Sequence, residues 1–423
     1  MNVLIVGSGA REHAFCVKIK QSKKCKNLFV APGNAGTGEL AKNINIPIED
    51  FSQIKKTLIK YKINLLIIGP EIPLIEGLTD FVNKDDELNR VLVIGPSRTG
   101  AMLEGSKDFS KEFMYRHNIP TAPYKTFNQH TLKDGIKYLN TISPPYVLKA
   151  DGPAAGKGVL ILNDLSNAQA ELSNMLANNK FGSSGHKVVI EGFLKGIELS
   201  CFVLTDGKTY LTLPNAKDYK RIGEGDVGLN TGGMGSISPV PFADKEFLSK
   251  IDKKIIKPTI DGIIKEEIDY VGFLFIGIIK VDDEPYVIEY NVRMGDPETQ
   301  VVLPRIKNDF LEMMINTAKG NLKSINLKVD QSSFVNVVMV SGGYPEAYEK
   351  GKKITGLNTN HDSIILHAGT KSKGHDVVTN GGRVLSVISK SSDFHSALEK
   401  SYKTINSIDF EGKYYRKDLG FDL

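Results

Sequence analysis

The sequence predicts a multidomain α/β protein whose N-terminal part is a Rossmann-like parallel sheet. Three observations point there. The first hundred residues alternate short apolar runs, "NVLIVG", "NLFVAP", "LLIIGP" and "VLVIGP", with amphipathic stretches such as residues 51–61. Strands that alternate with helices in this way build parallel sheets covered on both faces. Further on, the apolar runs "GFLFIGIIKV" and "PYVIEYNV" flank the turn Asp282-Asp283-Glu284, as adjacent strands do. The length, 423 residues, exceeds what one core serves and favours about three units.

The elements follow in order. After the four N-terminal strand and helix pairs, a charged helix over residues 107–118 leads into "IPTAPY", whose prolines predict a boundary near residue 120. A smaller α/β unit comes next: "YVLKAD", a glycine-rich turn, "GVLIL", a helix over 166–179, and "KVVIEGFLKGIELSCFVL". Residues 214–236 are polar and glycine-rich and read as a long mobile loop, an active-site lid or a tether, because loops of that length inside a compact domain are usually functional. A helix near 246–267 precedes the two adjacent strands. Beyond about residue 325, the short strands "FVNVVMVSGG", "SIILHAGT" and "GGRVLSVISK" and a helix over 393–405 predict a separate C-terminal domain.

Composition excludes several classes. With 41% hydrophobic and 24% charged residues the chain is an ordinary globular protein. Met1 leads directly into "VLIVG", which has no basic preamble and is too short to span a bilayer, so a soluble cytoplasmic protein with no membrane partner is expected. Cys16, Cys25 and Cys201 have no C-x-x-C spacing and read as packing thiols, not as a disulfide framework or thiolate metal site. The formal charge of +5 comes without an arginine-aromatic stripe, which favours small anionic ligands over nucleic acid. The eight histidines show no metal spacing, and neither G-x-S-x-G nor H-E-x-x-H occurs, so hydrolase chemistry has no support.

Several motifs carry chemistry. "VGSGAREH" sets Gly7 and Gly9 between the first strand and helix, where backbone N–H groups attract phosphate. Glu12 replaces the third glycine and the second strand ends in "APGN" with no ribose-binding acid, which argues against a dinucleotide site. A phosphate seat using Arg11 and a purely structural tight turn both remain. "DGPAAGKG" is one residue too short for a P-loop and ends in Gly158; it is either a flap whose lysine closes over phosphates or a flexible surface hairpin. Lys107 opens a helix and Lys149 ends an apolar strand. With "VIEGFL" at 189–194 they describe the surroundings of an adenine nucleotide, phosphate-binding lysines beside an extended linker.

The strongest local chemistry is "IEYNVRMGDPETQ" at 288–300. Alternate strand residues share a face, so Glu289, Asn291 and Arg293 point one way while Ile288, Tyr290 and Val292 point to a core. A carboxylate and an amide oxygen at i and i+2 are hard ligands suited to Mg2+ that completes its shell with phosphate and water. A solvated strand face is the plainer reading, but Arg293 and "GDPE" make the cluster mixed in charge.

"GSGAREHA", "APGNAGT", "GPEIPL", "LEGSKDFSKEFM", "KADGPAAGKGV", "NTGGMG", "EYNVRMGDPETQ", "HAGT" and "TNGGRVL" resemble, in that order and over essentially the whole chain, the phosphoribosylamine–glycine ligase family, an ATP-grasp family of purine synthesis. The resemblance implies an N-terminal pre-ATP-grasp domain over 1–104, an ATP-grasp domain over 105–322 with a mobile B subdomain at about 121–193, and a small C-terminal α+β domain over 323–423. It implies the substrates ATP, glycine and 5-phosphoribosylamine, Mg2+ (or Mn2+), and a monomer or small homo-oligomer. Alternatives are another ATP-grasp ligase joining a carboxylate to an amine, or a non-catalytic ATP-binding sensor.

Residue by residue, the resemblance implies that Glu289 and Asn291 hold the metal. Lys107, Lys149, Gly156, Lys157, Glu191, Phe193, Leu194, Glu198 and Asn230 would border ATP. Arg293, Asp296 and Asp218 would act on the reacting groups, with Glu298 beside them, and Gly9, Arg11, Asn34 and Glu71 would seat phosphoribosylamine. The chain differs from the family pattern at Pro153 in the flap, at Asn215, Tyr219, Glu224, Val227 and Leu229 in the loop, and at Met294.

Overall fold

A computed structural model describes residues 1–153, 158–178, 180, 185–359 and 362–423. The four N-terminal apolar runs and a short polar edge strand become five parallel strands in the order Lys42–Asn43, Asn27–Pro32, Asn2–Gly7, Leu65–Ile68, Leu92–Ile94. Their runs are continuous because both faces are covered: Leu4 and Val6 pack into one core, Val3 and Ile5 into another, and none of the four is exposed. Strand order reverses between Asn2–Gly7 and Leu65–Ile68. The carboxyl ends of two such strands form a crevice where open α/β sheets bind ligands, and here they carry Gly9, Arg11 and Glu71.

The helix Lys107–Arg116 starts where Ser106 accepts from Phe109 N. Asp151, just beyond the strand Tyr146–Ala150, accepts from Ser106 Oγ at 2.9 Å and Asp108 N at 2.8 Å. That strand belongs to an antiparallel sheet, Tyr124–Asn128, Lys187–Glu191, Tyr146–Ala150, Val159–Leu162. The helices Leu132–Leu139 and Leu165–Leu176 cover it with a core of its own, including Leu148, Leu172 and Ile190.

A third sheet, Tyr210–Thr212, Ile197–Thr205, Gly272–Val281, Glu284–Asn291, carries the acidic strand. Asp282 and Asp283 turn the hairpin with φ of 46° and 63°, the twist that suits a two-residue turn. The expected face alternation needs one correction. A bulge opposite Gly277 and Ile278 makes Ile288 the extra residue, so Val287, Tyr290 and Val292 are the buried set and Ile288 is only half-buried. Bulges re-aim side chains beside active sites; this one keeps Glu289 and Asn291 at the end of the strand.

The loop expectation for 214–236 is overturned. Lys217–Asp218 and Gly235–Ser238 are strands of a sheet completed by Ser333–Val340, Arg383–Ser391 and Ile364–His367. Arg221–Gly223 and Val227–Asn230 form a hairpin beside it. The sheet of the C-terminal unit thus takes two of its five strands from before residue 240. Tyr219 and Met234 are buried, and the C-terminal segment pins the hairpin: Arg416, 0% exposed, pairs with Asp226 at 2.9 Å and Asp418 at 2.8 Å. Tyr219, one of the departures from the family pattern, donates to Asp422 at 3.0 Å inside this core. Cys16 and Cys201 are buried thiols. Among the described residues no helix is long and apolar enough to cross a membrane.

Candidate functional site

The strand end at Glu289 faces lysines from three other elements. Burial works against the Glu289 charge, but Lys220, Lys149 and Lys107 hold its carboxyl below the usual range. Asn291, 7% exposed, donates from Nδ2 to Glu289 Oε1 at 3.4 Å. Lys107, at the first turn of its helix, is pulled below the ordinary lysine value by burial, with Glu289 opposing.

Lys149 and Glu191, on paired strands, meet at 3.0 Å between Nζ and Oε1. The other Glu191 oxygen takes Lys111 Nζ at 3.1 Å, a residue sequence reasoning missed. Lys111 also donates to Thr121 Oγ1 at 2.7 Å, and that hydroxyl donates to Val287 O at 2.7 Å. Burial pulls the Lys111 ammonium down to about 8 despite Glu191. Glu191 is 4% exposed; each oxygen lies within ion-pair distance of a lysine, and Oε1 makes no hydrogen bond among the described residues. Lys149 also donates to the bulged Ile288 carbonyl at 3.3 Å.

A second cluster lies across the sheet. Lys220 Nζ is 2.5 Å from Glu198 Oε2. Burial opposes the Lys220 charge, but Asp218, Glu198 and Glu289 outweigh it and raise its pKa well above the ordinary value. Burial raises the Asp218 carboxyl, with Lys220 opposing and Glu198 adding to the rise. Glu298, 3% exposed, accepts from Ser200 Oγ at 3.1 Å and is likewise raised by burial and by Asp218.

Arg293 anchors a third cluster. Its Nη2 pairs with Glu104 Oε1 at 2.8 Å, its Nη1 donates to Met294 O at 3.4 Å, and its Nε lies 3.4 Å from Glu71 Oε2. That Nε is buried and finds no hydrogen-bond acceptor among the described residues. Burial would raise the Glu71 carboxyl, but Arg293 and Arg11 hold it below the usual range. Asp296 is kept low against burial by Arg383 and Arg11. Arg383, within the "TNGGRVL" motif but unassigned from sequence, donates to Asp296 O at 2.7 Å and Gly232 O at 2.5 Å, joining two loops of the site.

At "GSGAREH" the structure shows internal pairing. Glu12 accepts from Gly9 N and from Arg11 Nε, both at 2.6 Å, so the helix start is capped by its own carboxylate. An added Cβ at Gly7 would meet the Glu12 side chain, which is why glycine stands there. Asn34 is a structural pin. Its Nδ2 donates to Ser8 O and His367 O, both at 2.8 Å, while its Oδ1 accepts from Thr37 N at 3.0 Å.

Gly156 and Lys157 lie outside the described residues. Phe193 and Leu194 follow the strand Lys187–Glu191, Phe193 exposed and Leu194 half-buried. Asn230 ends the exposed hairpin strand opposite Arg221, and the adjacent Thr231 N donates to Lys220 O at 2.8 Å.

Glu289 and Asn291 supply two oxygen donors, the first held ionised by lysines. Among the described residues no group of three acidic, His or Cys side chains could hold a metal alone. This donor set fits Mg2+, which keeps waters and takes phosphate oxygens with one or two carboxylates.

Three family models match in chain order: the phosphoribosylglycinamide synthetase N domain at 1–104, its ATP-grasp (A) domain at 105–299 and its C domain at 334–422. The chain is 43% identical over 419 residues to the phosphoribosylamine–glycine ligase of Caldanaerobacter subterraneus, covering 99% of each. The chain belongs to this family. To the ligase of the same name from Fusobacterium nucleatum it is 42% identical over 424 residues, covering 99% of this chain and 98% of that one. The crystal structure of phosphoribosylamine–glycine ligase from Thermotoga maritima superposes with a TM-score of 0.84 at 35% identity, covering 99% of this chain and 100% of that one. The biotin carboxylase domain of the Hydrogenobacter thermophilus 2-oxoglutarate carboxylase, solved with MgADP and bicarbonate, shares the fold with a TM-score of 0.74 at 16% identity, covering 99% of this chain and 92% of that one. The family fixes the architecture: parallel N-terminal sheet, ATP-grasp unit, small C-terminal unit.

Proposed function

We propose that the chain ligates glycine to 5-phosphoribosylamine with ATP, giving glycinamide ribonucleotide, ADP and phosphate in purine synthesis. The observation that carries the reading is the end-to-end family match, on a chain whose acidic strand end lies in the field of Lys107, Lys149 and Lys220.

The reaction runs in two displacements. A glycine carboxylate oxygen attacks the γ-phosphorus of ATP and the bridging oxygen leaves with ADP, forming glycyl phosphate. The phosphoribosylamine nitrogen then attacks the acyl carbon, phosphate departs, and the nitrogen loses a proton. Such transfers depend on positioning and charge neutralisation more than on a covalent nucleophile.

Glu289 and Asn291 would hold Mg2+, which when bound neutralises phosphate oxygens. Lys107, Lys149 and Lys220 draw the polyphosphate to the strand end, with Glu191 and Glu198 fixing two of those ammonium groups. Arg293 presents its unfilled Nε to the glycine carboxylate. Asp218 and Glu298, both raised in pKa by burial, face the amine and take up its proton. Asp296, held ionised beside Arg11 and Arg383, binds the ammonium or ribose end of a substrate.

The test is ADP release from Mg2+-ATP and glycine, with and without phosphoribosylamine generated in place. ADP in step with glycinamide ribonucleotide, only when every substrate is present, is the expected result. ATP binding without turnover would overturn the reading.

A further inference from the structure

Glu104 ends the helix Arg98–Gly105, nearly two hundred residues before the strand it meets. Its two oxygens have different tasks. Oε2 accepts from Val292 N at 2.8 Å, fixing the backbone just past Asn291, and Oε1 accepts from Arg293 Nη2 at 2.8 Å. The two residues that follow the acidic strand are thus held by one carboxylate from the helix Arg98–Gly105.

Charge balance alone does not require this arrangement. Arg293 already has Glu71 at 3.4 Å, and a second buried carboxylate carries a desolvation cost. Burial pushes the Glu104 carboxyl up to about 7 even with Arg293 beside it. What Glu104 adds is direction. With Nη2 on Glu104 and Nη1 turned to Met294 O, the buried Nε–H, 3.4 Å from Glu71 Oε2, is the part of the guanidinium that makes no hydrogen bond among the described residues. A planar guanidinium held at two corners presents its remaining donor along one line, which suits recognition of a carboxylate.

We propose that Glu104 is a positioning residue for the ligation: by gripping Arg293 Nη2 it aims the Arg293 Nε–H at the glycine carboxylate. This rests on the assignment of Arg293 to glycine made above.

A double-mutant cycle tests it. Glu104→Gln keeps an oxygen for Val292 N and loses the charged grip on Arg293. Misplacing a reacting group by about 1 Å costs on the order of 100-fold. Glu104→Gln should accordingly lower kcat/KM for glycine by roughly 10- to 100-fold, with KM for ATP within about twofold. In an Arg293→Ala background the same change should add less than about twofold, as coupled neighbours do. Glu104→Asp, which keeps the charge but withdraws it, should fall between wild type and Glu104→Gln if the wild-type grip is what matters. Equal losses with and without Arg293, or a parallel rise in KM for every substrate, would assign Glu104 a general structural role and overturn the proposal. Undiminished glycine kcat/KM in Arg293→Ala would instead sink the Arg293 assignment, and the proposal with it.

Discussion

Lys220 Nζ stands 2.5 Å from Glu198 Oε2, and its charge is further stabilised by Asp218 and Glu289. One ammonium thus balances three carboxylates drawn from three strand segments. Lys220→Met would leave those carboxylates repelling one another without a cation between them. The expected outcome is a KM for ATP raised about tenfold and a lower melting temperature, since like charges brought together disfavour both the fold and an incoming anion. Steady-state kinetics and thermal unfolding check both.

Lys111 is buried and shares Glu191 with Lys149. Lys111→Met removes one of the two cations on a carboxylate that is 4% exposed. It should destabilise the fold by about 3 kcal/mol in urea unfolding and weaken ATP binding. Adding Glu191→Gln to that variant should restore part of the stability without restoring ATP affinity, which separates the charge penalty from the ligand contact.

His13 and His367 join the N-terminal helix to the C-terminal sheet. His367 N donates to His13 Nδ1 at 2.9 Å. Burial, with His367 nearby, pulls His13 from 6.5 to about 3, and burial alone pulls His367 from 6.5 to about 4. Below 6.5 the unfolded chain binds protons that the folded protein refuses, so stability declines as pH falls from 6.5 towards about 4 for His367 and about 3 for His13. His13→Asn keeps an acceptor for His367 N and cannot charge, so it should flatten that decline by an amount on the order of a few kcal/mol. Urea melts across this pH window measure the slope; an unchanged slope would show that His13 is not buried as described.

Much of the architecture was legible because it is local. The four N-terminal runs are uninterrupted apolar stretches, and Glu289 and Asn291 sit two apart on one strand, so periodicity alone finds them. Glu104 and Lys111 escaped for the opposite reason. Their partners, Arg293 and Glu191, lie far along the chain, and neither a helix-end glutamate nor a helical lysine is unusual by itself. Residues 214–236 misled through composition: glycines and charges suggest a loop, while the strands there are short, and the one that ties them into the larger sheet, Gly235–Ser238, pairs with Ser333–Val340, about a hundred residues later. The bulge at Ile288 is likewise invisible until its partner strand is in place. The internal partners of Arg11 and Asn34, Glu12 and the His367 carbonyl, likewise appear only in the fold.

The central claim is that the carboxylate of glycine is phosphorylated before the amine attacks. It is tested most directly with glycine carrying 18O in its carboxylate, Mg2+-ATP and phosphoribosylamine, with mass analysis of the released phosphate. The two-displacement account predicts one 18O atom in each phosphate formed, because the attacked acyl carbon surrenders the oxygen that had bonded to phosphorus. Phosphate released free of the label, with glycinamide ribonucleotide still formed, would contradict it.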